Sequence, residues 1–170
     1  MALKKLLLFS IIMMVVSLPS NADRLSIYVL RSAFIYNFIT FTQWPETHVD
    51  INICVYGNQV YQQLLTKIIE KKPPVSRSMS VVDAASVVNY SDCSVLIISE
   101  SGQIDAKKIG VNLDHSNTLV ITDNESGYDV SMIYLSQEDN RVSFSINMEN
   151  LNDSNVKISS KLLRLSQGYK

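Results

Sequence analysis

The chain has 170 residues, 46% hydrophobic and 18% charged, with a formal net charge of -1 at pH 7. That length suits one domain with a proper core, and the composition excludes a disordered chain. There is no basic field to hold nucleic acid by counterion release, and no acidic tail or basic arm stands out.

The first 22 residues read as an export signal. Lys4 and Lys5 form a short positive region, Leu6 to Leu18 is an apolar run, and Ser20 and Ala22 occupy the small-x-small positions of a cleavage site. The alternative is an uncleaved anchor, but the run is short against the ~20 residues a span needs. Cleavage after Ala22 removes Lys4 and Lys5 and no acidic residue, which leaves residues 23–170 with a net charge of -3. No later apolar run is long enough to span a membrane.

Leu25 to Gln43 reads as a helix, with Ile27, Leu30, Phe34, Phe38 and Phe41 at spacings of three and four. Pro45, after Trp44, stops it. Ile51 to Tyr56 is a continuous apolar strand of the kind that lies in a sheet covered on both faces. Val60 to Glu70 alternates as an amphipathic helix, and Pro73 and Pro74 break it. Met79 to Val82 is a second strand, and Asp83 caps a short helix through Val88. Cys93 to Ser99 is a third strand, and Asp105 to Ile109 a helical turn. Thr118 to Asp123 is a fourth strand, followed by a turn at Asn124 to Gly127. Met132 to Leu135 and Arg141 to Met148 form a hairpin joined by Gln137 to Asn140, with Val142, Phe144 and Ile146 on one face. Val156 to Gln167 closes the chain as a helix. The expected fold is α/β: a mixed, mostly parallel sheet flanked by helices, with a C-terminal hairpin and helix.

The search for chemistry comes back nearly empty. His48 and His115 lie in loops without the partners a metal site needs. Ser101-Gly102 and Ser126-Gly127 do not fit the nucleophile elbow, and no phosphate-cradling glycine loop occurs. No cofactor is implied, and the chain reads as a non-enzyme. Cys54 and Cys93 are the two cysteines. After export they can pair, or they remain buried thiols that pack as small hydrophobes. If the second strand lies outside the first, the strands holding them are neighbours about 4.8 Å apart, near the Cα separation a disulfide needs. Such a bond is expected to be structural.

Three segments carry a resemblance to a known family. They are Ser32-Ala33-Phe34-Ile35-Tyr36-Asn37-Phe38 running on to Trp44-Pro45; Ile53-Cys54-Val55-Tyr56-Gly57 with Cys93 opening a later strand; and Arg141-Val142-Ser143-Phe144-Ser145-Ile146-Asn147 followed by Ile158 to Leu165. Together they resemble the YfiR/HmsC family of bacterial periplasmic proteins, over about Leu25 to Leu165. The resemblance implies a periplasmic repressor that binds the periplasmic part of an inner-membrane diguanylate cyclase of the YfiN kind, lowers cyclic di-GMP and so restrains biofilm. It also implies a capacity to dimerise and a response to redox state through cysteines. The chain departs from the family where Asp129, Val130 and Ser131 replace a glycine pair, and where a second cysteine pair is missing.

Within that reading, Arg141, Ser145, the loop near Leu151, and Arg164 are the candidate partner contacts. Arginine is favoured in interfaces. Arg141, Ser143 and Ser145 form a polar set opposite the buried residues of their strand. The other reading is a periplasmic small-ligand sensor with its pocket at the carboxyl ends of the parallel strands.

Overall fold

The computed structural model describes residues 21–46, 49–72, 77–99, 116–138 and 141–166. The export segment up to residue 20, His48, His115, Ser101-Gly102, the turn expected at Asp105 to Ile109, and the tip of the hairpin connection at residues 139–140 lie outside the described residues.

Helix α1 (Asn21–Thr40) turns Ile35, Phe38 and Ile39 into the core. It ends at Thr40, three residues before the periodicity predicts. The cause is local: the Thr42 hydroxyl donates to the Phe38 carbonyl at 2.7 Å and the Trp44 indole N–H to the Ile39 carbonyl at 3.1 Å. These side chains satisfy carbonyls that a helix end leaves without partners. They free β1 (Thr42–Gln43) to pair antiparallel with β8 (Lys157–Ile158).

The main sheet has β2 (Ile51–Tyr56), β3 (Met79–Asp83), β4 (Val95–Ile98), β5 (Leu119–Thr122), β6 (Ile133–Glu138) and β7 (Arg141–Ile146), in the order β3-β2-β4-β5-β6-β7. β3 through β6 run parallel, and β7 closes an antiparallel hairpin with β6. The mostly parallel α/β sheet expected from the sequence is the one observed. Helix α2 (Gln59–Lys71) joins β2 to β3, starting from the Asn58 cap, whose side chain accepts the Val60 N–H at 2.9 Å.

Strand alternation divides the core in two. Ile53, Val55, Val95, Ile97, Leu119, Ile121, Ile133, Leu135, Phe144 and Ile146 share one core with residues from all four α-helices described. Cys54, Leu96, Ile98 and Val120 point the other way and pack with Ala84, Cys93, Tyr90 and Val130 from short connections. Asp83 is the cap expected, but of a 3₁₀ turn at Ala84–Ser86 rather than a helix through Val88, while Asn124 caps another at Glu125–Val130 in place of a simple turn.

The C-terminal end differs from its prediction. Asn147 caps a helix not foreseen, α3 (Met148–Asp153), by accepting the Asn150 N–H at 3.1 Å. The single helix expected from Val156 is instead β8 followed by α4 (Ser160–Leu165), which Ser159 caps. Pairing with β1 wins over the local helical pattern, because Ser159 N–H donates to the Phe41 carbonyl at 3.0 Å. Ile158 and Leu162 still reach the core, but Leu165 is exposed.

Candidate functional site

The β6–β7 hairpin is amphipathic. Its inner face holds Ile133, Leu135, Phe144 and Ile146. The register sets Tyr134 opposite Ser145, Ser136 opposite Ser143, and Glu138 opposite Arg141 on the outer face. The Ser136 and Ser143 hydroxyls bond to one another at 2.6 Å, and Tyr134 meets Tyr128 edge to face with ring centres 5.5 Å apart. Arg141 is exposed, whereas Ser143 and Ser145 are half-buried. β7 is the last strand of the sheet. This face can offer hydroxyls, an aromatic pair and one cation to a partner.

The structure does not gather all four candidate contacts. Arg141 and Ser145 share the outer face of the hairpin. Arg164 is exposed on α4, which belongs to the helical layer on the other side of the sheet. Its Nε donates to the Ser160 carbonyl at 3.3 Å. The loop expected near Leu151 is corrected: Leu151 lies in α3 and is 7% exposed, within the core. Leu151 is the buried residue of that short helix, next to a partly buried Met148 on the same core, so burial takes its side chain out of the contact set.

A second polar grouping was not read from the sequence. Arg31 of α1 donates from Nη1 to the Asp123 carboxylate at 2.8 Å, and the Tyr61 hydroxyl of α2 donates to the same oxygen at 2.7 Å. All three are buried. Asp123 follows β5, so the cluster lies at the carboxyl ends of the parallel strands, as does the Asn58 to Ser99 side-chain bond at 3.3 Å. Burial alone works against the Arg31 charge, but the Tyr61 hydroxyl and the Asp123 carboxylate outweigh it and raise the guanidinium pKa. Burial pushes the Tyr61 phenol well above its usual range, and the Asp123 charge pushes it the same way. The signals in sequence were two isolated charges, Arg31 within an apolar helix face and Asp123 ending an apolar strand.

Cys54 and Cys93 form a disulfide with Cα atoms 5.8 Å apart. Cys54 is in β2; Cys93 sits just ahead of β4 rather than opening it, held by its N–H to the Tyr90 carbonyl. Both are buried in the second core. β2 and β4 are neighbours and β3 lies outside β2, as the disulfide argument required. A groove of about 230 Å³ lies at the other end of the sheet, among Ile39, Thr40, Thr42, Trp44, Ile51, Arg77 and Met79.

The chain matches the YfiR/HmsC-like family over residues 28–167, nearly the whole of what is described. The chain belongs to the YfiR/HmsC-like family. No curated protein matches it individually. Members of the YfiR/HmsC-like family are periplasmic regulators rather than catalysts. In this member, no helix among the described residues is long and apolar enough to cross a membrane.

Proposed function

We propose that this protein is a periplasmic repressor that binds the periplasmic part of an inner-membrane diguanylate cyclase and thereby lowers cyclic di-GMP. The observation that carries this reading is the family match across residues 28–167. The export signal read in the first 22 residues would deliver the chain to that compartment.

The outer face of the β6–β7 hairpin is the contact surface in this reading. Arg141, Tyr134 and Ser145 supply a cation, a ring and a hydroxyl on one rigid face, and interfaces are enriched in Tyr and Arg. The sensor reading has less support. The Asp123 carboxylate at the strand ends is taken up by Arg31 and Tyr61, and the groove described above is at the opposite end of the sheet.

The test is a clean deletion. Loss of the protein is expected to raise cyclic di-GMP and surface attachment, and removal of the membrane cyclases is expected to abolish the rise. Unchanged nucleotide levels in cells that normally express the protein would refute the reading.

A further inference from the structure

Helix α1 divides at Arg31. No side chain of residues 25–30 is buried, whereas Arg31, Ser32, Ile35, Tyr36, Phe38 and Ile39 all are. The half that precedes Arg31 exposes Leu25, Val29 and Leu30. The boundary is attached to the body of the domain at Tyr28 and at Arg31. Tyr28 meets the Tyr61 ring edge to face at 5.2 Å, and Arg31 reaches Asp123 at 2.8 Å. Tyr61 takes part in both, because its hydroxyl donates to the same Asp123 oxygen.

This attachment is an incompletely satisfied one. The Nε of Arg31 and the hydroxyl of Ser32 are buried without a hydrogen-bond partner among the described residues. A buried ion pair with unpaired donors is weak evidence for stability, since desolvation offsets the Coulomb attraction. Such a pair fixes position more than it adds stability, and removing one partner costs far more than the intact pair supplies.

We propose that Arg31, Asp123 and Tyr61 form a latch for α1. While the ion pair holds, the whole helix is docked. When it breaks, the half before Arg31 comes away from α2 and the strand ends, and the part from Ile35 onward stays in the core. The opening uncovers the Tyr61 ring and the carboxyl end of β5. This inference does not depend on the cyclase reading.

Hydrogen exchange on the exported, folded protein tests it. Asp123→Asn is expected to speed exchange of the amides before Arg31 by at least ~10-fold, equivalent to ~1.4 kcal/mol of local opening, with β4 and β5 amides within twofold of the parent. Tyr61→Phe, a milder change, is expected to do the same by a few-fold. Arg31→Lys, which keeps the charge, is expected to restore most of the protection lost in Arg31→Met. Equal acceleration across α1, β4 and β5 would make the cluster an ordinary structural ion pair and overturn the latch, as would no acceleration at all. If Asp123→Asn does not fold, Tyr61→Phe decides by the same comparison.

Discussion

Tyr61 is fully buried and donates to the Asp123 carboxylate, and it links the fold to pH. Its phenol is buried beside the Asp123 carboxylate, so the folded state holds the proton far more tightly than the unfolded chain. The unfolded value is the ordinary ~10. A group whose folded pKa is the higher contributes stability that is complete below the unfolded value and is lost as the pH climbs above it. Stability is therefore expected to fall from about pH 10 upward. Tyr61→Phe should remove tyrosinate absorbance only from the alkaline unfolding step. A loss of amplitude before that step would show that Tyr61 ionises in the folded protein. The sequence pointed to none of this. Arg31 and Asp123 are 92 positions apart, and nothing local to either marks the other.

Among the elements, what local pattern can specify was legible and what long-range pairing specifies was not. Ile51–Tyr56 was read residue for residue, because an apolar run closed by Gly57 has one sensible structure there. The two-residue strands β1 and β8 were folded into flanking helices, since Phe41 and Ile158 keep helical spacing and only their mutual pairing reveals them. Helix α3 had a readable cap in Asn147 but was too short to show a period. The disulfide was half legible: compartment and strand order argued for it, while Cys93 stands in the approach to β4 instead of in the strand. Closing the 39-residue separation is worth about 4 kcal/mol in the chain-entropy model. A Cys54→Ser, Cys93→Ser double variant is expected to melt at lower temperature and still repress when folded. Failure to repress in a variant that melts cooperatively would turn the bond from a brace into a switch.

At the scale of the molecule, the four described α-helices lie on one side of the sheet, and the outer face of the hairpin, partly covered by Tyr128, is a mostly polar surface at its edge. Of the candidate contacts, Arg141 and Ser145 stand on that surface, Arg164 stands behind it, and Leu151 is inside. The strand alternation that placed the first two was legible; the burial of Leu151 depended on an unforeseen helix. Arg141→Glu is expected to leave the melting temperature within a degree or two, because surface substitutions rarely exceed ±0.5 kcal/mol. It is expected to abolish repression. Pull-down of the cyclase by the variant at parental yield would remove Arg141 from the interface.

The clasp between β1 and β8 also ties distant parts of the chain together. Thr42 pairs with Ile158, and Leu162, a few residues further on, fills the same core as Ile35 and Phe38. The first helix is therefore bedded in part on residues from far later in the sequence. Removing residues 157–162 is expected to uncover apolar surface beneath that helix and to lower the melting temperature.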